Sequence, residues 1–305
     1  GRIWATGIND TTVNGLDFAQ AEANPDPSIR AIAKNNLLYV FGSRSLEVWS
    51  NTANAVGFPY SRANVSSRGL LSFAAVAGFE DGWADVLIYV ADDRTIRMLR
   101  DYSPEKISTA AVDRFLSTVD ETTLRACVYE FEGNPIWSLS SLTGTWEFNL
   151  STGQWHERSD HNGAGWPCSV SAPAFGGWFF GSREGAKLYS LNARGRVIDG
   201  VPLRWEAESV QGTAFPNRYR VLAGHFDVSV GVGDPAGSDL SETAPRVEVS
   251  WSDDGGATWT PPVFREVGPQ GNYRKRISVR NAGRTGRNGR RWKVAMSDPY
   301  EAALF

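Results

Sequence analysis

The 305-residue chain has two cysteines, two methionines and three histidines, and these shortages close off several classes of chemistry. Cys127 and Cys168 cannot build a disulfide framework, and no CxxC pair supports a zinc or dithiol redox centre. So few thiols suit assembly in a reducing cytoplasm. Nothing calls for a cofactor or a metal. No run approaches the roughly 18 apolar residues of a membrane span. Neither a G-x-S-x-G elbow nor a phosphate-cradling glycine loop occurs. Helical signals are sparse as well. The best lies at 108–118, where Ser108 or Thr109 caps a segment through Ala110, Val112, Phe115 and Leu116, and predicts a short helical insertion. The chain opens Gly1-Arg2-Ile3-Trp4, with neither methionine nor an apolar secretion segment, and stops at Leu304-Phe305 as a strand begins. It reads as a piece of a longer chain.

Turn formers and large aromatics are present instead: 31 Gly, 15 Pro and 12 Trp. A hydrophobic fraction of 41% with 21% charged residues belongs to a folded domain, and the mixture fits sheets packed through aromatic side chains. The most informative pattern is a block that recurs fifty positions on without a gap, 38–51 (LYVFGSRSLEVWSN) against 88–101 (IYVADDRTIRMLRD). Each copy reads as strand, four-residue polar turn, strand. A third hairpin runs from Ile136 through Trp146 to Leu150, with its first strand slipped by about one residue. A fourth begins at Trp178 and ends near Leu191, and a fifth places strand 247–251 before a turn at 252–257 and Thr258-Trp259. Gly42 and Gly181 sit at turn entries, where positive φ or a tight bend favours glycine.

Repeats of 40 to 50 residues are those of propeller blades. The expected fold is therefore all-β, a β-propeller of about six or seven blades with one short helical insertion. Residues 1–230 are expected to hold the blades. Residues 231–305 are expected to form a closing blade or an appended β-domain carrying the fifth hairpin and a basic segment.

That segment, 274–293, has nine cations and no acid: Arg274, Lys275, Arg276, Arg280, Arg284, Arg287, Arg290, Arg291 and Lys293. The whole chain has net charge −3, so 22 basic residues face 34 acidic ones elsewhere. Such polarity suits self-association or a polyanion. The segment has three readings: sequence-independent phosphate contact, a subunit interface, or a solvated face. The interface or the plain surface is favoured over the phosphate contact. Trp292 anchors the strand that follows.

The run 38–60, LYVFGSRSLEVWSNTANAVGFPY, resembles the packaged-DNA stabilisation proteins, tail-hub or nozzle components of short-tailed phages. Gly7-Ile8-Asn9-Asp10, the stretch from Leu16 to Glu22, Lys106-Ile107-Ser108-Thr109 and Gln154-Trp155-His156-Glu157-Arg158 agree with that family in order. The chain is short at its start by comparison. The resemblance implies a virion protein assembled in the host cytoplasm, a homohexameric ring below the portal and its adaptor. Its partners would be itself, the portal-adaptor ring, other tail proteins and packaged DNA passing through. The family offers no catalytic set to transfer.

Ser252, Asp254, Gly256, Thr258 and Trp259 fill every fixed position of the Asp-box S-x-D-x-G-x-T-W, whose aspartate accepts turn N–H groups. Such boxes recur in sialidase propellers, and sialidases need an arginine cluster, a Tyr/Glu pair and an acid carboxylate. No spacing here identifies that set, so the box is read as structural. His156 and His161 stand five apart, not the four of a zinc-protease helix. His225 is expected to be a packed or edge residue of a strand. Asp92-Asp93 and Asp253-Asp254 are assigned to turns. The expected function is non-enzymatic and structural, with the loops 53–67 and 231–244 reaching neighbours. The alternatives are a sialidase-like glycoside hydrolase or a glycan-binding tail adhesin.

Overall fold

The computed structural model describes residues 2–6, 11–21, 23–52, 57–100, 102–160, 162–192 and 197–298. The chain divides into two compact units, 1–193 and 194–305. The boundary expected from sequence is 230/231, whereas residues 194–230 cluster with the second unit. Motif residues 7–10, Glu22, residues 53–56, Asp101 and His161 lie outside the described set.

In the first unit, β1 (Arg2–Thr6) and β2 (Val13–Gln20) form a ribbon. Three four-stranded antiparallel meanders follow. They are β3 (Ser28–Lys34), β4 (Leu37–Gly42), β5 (Leu46–Asn51) and β6 (Tyr60–Ser66); then β7 (Val76–Ala77), β8 (Leu87–Val90), β9 (Ile96–Arg100) and β10 (Ser103–Lys106); then β11 (Arg125–Phe131), β12 (Asn134–Ser140), β13 (Thr145–Asn149) and β14 (Gln154–Arg158). A three-stranded sheet closes the series: β15 (Cys168–Ala174), β16 (Gly177–Ser182) and β17 (Leu188–Ser190). The repeated blocks are the middle hairpins β4–β5 and β8–β9, with β12–β13 and β16–β17 as the third and fourth copies. Of these, β4 and β8 are the apolar runs expected of strands covered on both faces, β8 buried throughout and β4 at all but one position.

Consecutive sheets stack face to face. One core joins Tyr39, Phe41, Leu46 and Val48 to Leu70, Leu87, Tyr89 and Leu99, with the Phe41 and Tyr89 rings 5.0 Å apart, edge on. Tyr129, Trp166 and Phe180 do the same between the third and fourth sheets, Tyr129 lying 5.4 Å from Phe180. The first strand of each sheet approaches the first strand of the next. Ala126 N donates to Ala74 O just before β7, and Val128 N donates to Ser171 Oγ on β15. Blades of a propeller stack in this way.

Gly42 is required for a different reason from the one expected. Its φ is not positive, but a Cβ there would overlap the Asp26 carboxylate. Asp26 accepts from Arg44 N (2.7 Å), Ser45 N (3.1 Å) and Ser45 Oγ (2.8 Å), clamping the β4–β5 turn. The helix is present as α1 (Ala110–Thr118), between β10 and β11, with Val112 and Leu116 inward. Thr109 occupies the cap position without a side-chain bond, while Ser108 donates to Asp113 Oδ1 and accepts from Ile96 N.

The second unit does not continue the meanders. It holds the ribbon β18 (Val197–Ile198) and β19 (Val201–Pro202), then β20 (Trp205–Glu208), β21 (Ala223–Phe226), the short helix α2 (Leu240–Thr243), β22 (Arg246–Ser252), β23 (Val263–Glu266), β24 (Ile277–Arg280) and β25 (Arg291–Met296). One sheet has the order β20-β25-β22-β23 and a second pairs β21 with β24. Val247, Val249, Val294 and Met296 of the first share a core with Phe226, Ile277 and Val279 of the second. Strand 247–251 of the expected fifth hairpin lies in β22 of this two-layer unit, but its hairpin partner is β23 (Val263–Glu266), and Thr258-Trp259 belong to the turn between them. Among the described residues the stacked series has four sheets, against the six or seven obtained by dividing the whole length. Of the expected loop 53–67, Tyr60–Ser66 is instead the fourth strand of a sheet.

Candidate interaction surfaces

The nine cations of 274–293 separate into two groups. Arg290 is 1% exposed and wholly engaged within its own unit. Its Nε and Nη2 donate to Asp253 Oδ1 (2.7 Å) and Oδ2 (2.8 Å), and its Nη1 donates to Ala282 O (2.6 Å). Trp251 and Trp292 flank the guanidinium at 5.3 and 5.4 Å. A bidentate pair between aromatic faces is the arrangement arginine suits best, and it removes Arg290 from any outward role. Lys293 bonds Glu208 at 2.9 Å and lies 4.4 Å over the Trp259 ring, and Lys275 bonds Glu266 at 2.9 Å. Arg291 is half-buried on β25.

Arg274, Arg276, Arg280, Arg284 and Arg287 are exposed. Arg284 lies directly across from Arg220 in an antiparallel bridge, and Arg280 pairs with Ala223. Tyr219 and Val221 bond the facing chain on either side of Arg220, with Thr285 N donating to Tyr219 O and Val221 N to Gly283 O. Val221 packs on the core, so the alternation turns Arg218 and Arg220 outward. Sequence reasoning missed Arg218 and Arg220, because they lie more than fifty residues before the basic segment and only the strand pairing joins them.

The Asp-box is a self-contained turn. Asp254 accepts from Ser252 Oγ (2.6 Å), Thr258 N (2.9 Å) and Thr258 Oγ1 (2.5 Å), and Gly256 N donates to Ser252 Oγ (2.8 Å). Those bonds, from Ser252 and Thr258 first, hold the Asp254 carboxyl far below its ordinary 3.8. Gly255 and Gly256 take φ of 84° and 103°. Asp93 likewise serves its turn, bonding Thr95 N, Thr95 Oγ1 and Arg97, while Asp92 accepts from Gly69 N.

A second buried charge repeats in the fifty-residue register, at Glu47 and Glu147 on the third strands of their sheets. Glu47 bonds Arg62 (2.8 Å) and Ala23 N (2.8 Å). Glu147, 1% exposed, accepts from the Tyr129 hydroxyl at 3.0 Å and bonds His156 Nε2 at 2.9 Å. Arg158 Nη1 donates to the Tyr129 oxygen at 2.8 Å, and its guanidinium stacks on Trp166 at 3.9 Å. Burial works against ionising Glu147, but Arg158, His156 and Tyr129 outweigh it and keep its carboxyl below the usual 4.5.

Tyrosine, glutamate and arginine thus meet, as a sialidase-type site requires. Yet burial, reinforced by Glu147, pushes the Tyr129 hydroxyl far above 10, and Tyr129 is 3% exposed. At that burial the phenol oxygen is out of reach of a sugar from solvent. His225 is an exposed strand residue opposite Ser278. Among the described residues no group of three His, Cys, Asp or Glu could hold a metal ion, and no helix is long and apolar enough to cross a membrane. Cys127 and Cys168 are free and buried, and burial raises both thiols.

The first unit has its own surface feature, along one rim. The two-residue turns Asn35-Asn36, Glu132-Gly133 and Phe175-Gly176 all have positive φ at both positions, as tight hairpins demand. Lys34 beside the first turn donates to the carbonyls of Gly78 and Ala84, Trp83 Nε1 donates to Tyr129 O (3.1 Å), and a cavity of about 610 Å³ lies between 130–133 and 173–178. A second cavity, about 410 Å³, lies between Asn35-Asn36 and Glu80–Asp85. The rim is therefore continuous, and it carries Asp81, Asp85, Glu130 and Glu132, all exposed.

Comparison with known families follows the same division. A family model described as Bacteriophage P22 Gp10, beta-propeller, matches residues 1–136, and a second, Bacteriophage P22 Gp10, beta-sandwich, matches 213–305. The chain belongs to the P22 Gp10 family. It is accordingly a phage tail structural protein of the virion, all-β, with a β-propeller domain, and it assembles with other virion proteins. The two-layer second unit is where the β-sandwich match falls. No curated protein matches the chain. Among solved structures, the computationally designed Ika4 protein is 9% identical over 57% of this chain and 96% of its own, with a TM-score of 0.35. An exo-β-1,3-galactanase from Phanerochaete chrysosporium with galactose is 13% identical over 88% of this chain and 77% of its own, with a TM-score of 0.29. Neither likeness bears on activity.

Proposed function

We propose that this P22 Gp10 relative is a non-enzymatic tail hub or nozzle subunit. Six copies form a ring below the portal and its adaptor, help retain packaged DNA and enclose its exit channel. Assembly takes place in the host cytoplasm. The observation that carries this reading is the ordered match of propeller and then sandwich to the two domains of one phage protein. The physical character of the chain supports it. Stacked sheets pinned by Glu47–Arg62, Glu147–Arg158 and Asp253–Arg290 make stiff units suited to bearing load. The Tyr129–Glu147–Arg158 group is spent on packing, and the Asp-box on its own turn.

The test is assembly. Purified protein examined by sedimentation and electron microscopy is expected to form rings, and tails are expected to contain it. A strictly monomeric protein at high concentration, absent from tails, would overturn the reading.

A further inference from the structure

We infer that copies of this chain join by setting the outward arginine face of the second unit of one copy on the carboxylate rim of the first unit of the next. The inference deepens the ring reading above and rests on it.

The arginine face is under electrostatic tension. Arg220 and Arg284 are direct cross-strand partners, a like-charge placement that destabilises an isolated sheet. Arg218, Arg280 and Arg287 add to it, and among the described residues none of the five forms an ion pair. Elsewhere the same unit pairs some of its cations closely, as with Arg290–Asp253, Lys293–Glu208 and Lys275–Glu266. Arg246, Arg265, Arg274, Arg276 and Arg291 also form no ion pair among the described residues, so what marks this face is the direct Arg220–Arg284 cross-strand placement.

The chain also contains the complementary surface. On the rim of the first unit, Asp81, Asp85, Glu130 and Glu132 form no ion pair among the described residues. The one cation among the rim turns, Lys34, is spent on the carbonyls of Gly78 and Ala84. Asp85, Glu80 and Asp81 act on its ammonium at longer range without forming an ion pair, so one cation stands against several carboxylates. Each surface also has apolar side chains near its charges. Phe175 on the rim is 99% exposed, and Phe215 and Leu222 near the arginines are 71% and 66% exposed. Arginine and aromatic anchors within a charged surround are the composition of an interface core.

The partner is a second copy because the chain itself carries both surfaces, so one contact between copies neutralises both at once. Two unlike patches on one subunit make a head-to-tail contact, which closes into a ring when the rotation allows.

Two variants test this: Arg220→Glu/Arg284→Glu, and Asp85→Lys/Glu130→Lys/Glu132→Lys. Light scattering at moderate salt should show each variant alone assembling at about tenfold or more higher concentration than the unaltered chain. An equimolar mixture should regain the unaltered mass, because each reversed surface then finds its opposite on the other variant. That rescue cannot come from misfolded protein. The inference fails if either variant assembles normally, or if the mixture stays dissociated. It also fails if the arginine variant loses only its binding to a random DNA duplex. If the unaltered chain is itself monomeric, the ring reading falls with it; rings that survive both reversals would sink this inference alone.

Discussion

At the residue scale, neighbouring arginines of one basic run have opposite fates. Arg290 is folded inward onto Asp253, and Arg287 points to solvent. Breaking a buried pair leaves a charge uncompensated, although Asp253 keeps about a third of its exposure and part of that cost is relieved by water. Arg290→Ala should therefore cost about 2–3 kcal/mol, measured as a drop in denaturant midpoint. Arg287→Ala should stay within about 0.5 kcal/mol of the unaltered chain. Equal effects would mean that burial does not distinguish the two. The sequence shows nine cations in twenty residues but not which of them face inward. Asp253 lies 37 residues away and Arg220 sixty-four from Arg284, so strand pairing alone decides.

At the element scale, the repeat fixed the middle hairpins because both copies share residue spacing as well as polarity. It also contained a signal that went unread: Glu47 and Glu147 stand two periods apart on equivalent strands. An acid in an apolar strand needs a basic partner on the next strand, and Arg62 and Arg158 supply it. Because Glu147 has a lowered pKa in the folded state, its contribution is fully present above the unfolded value near 4.5 and is lost as pH falls through the folded one. Unfolding of the first unit should accordingly become easier below about pH 4.5, and Glu147→Gln should flatten that acid limb. An unchanged pH profile would contradict the assignment.

The turn glycine gives a second case. Gly42 was legible as a constrained residue, but the constraint is the Asp26 carboxylate and not φ, which no local pattern reveals. Gly42→Ala should lower stability by about 1–3 kcal/mol, read from the thermal midpoint, because the carboxylate must move off its three donors. An unchanged midpoint would contradict the Asp26 clamp.

At the scale of the whole molecule, the architecture was legible where the sequence repeats and obscure where it does not. The meanders announce themselves by period. The second unit builds its larger sheet from segments far apart in sequence, β22 with β25 and β20 with β25, so a single hairpin inside it does not distinguish a closing blade from an appended β-domain. Each unit has its own core, centred on Tyr39 and Leu87 in one and on Val249 and Val294 in the other. Residues 194–305 expressed alone should then unfold in one cooperative transition; a broad, non-cooperative melt would contradict that independence.

Position within the particle decides whether the subunit is a tail hub. Electron cryomicroscopy of purified tails should resolve a ring of this subunit around the DNA axis, six copies below the adaptor, with the sandwich of one copy against the rim of the next. A tail that lacks the subunit, or carries it as isolated copies away from the axis, would contradict the account.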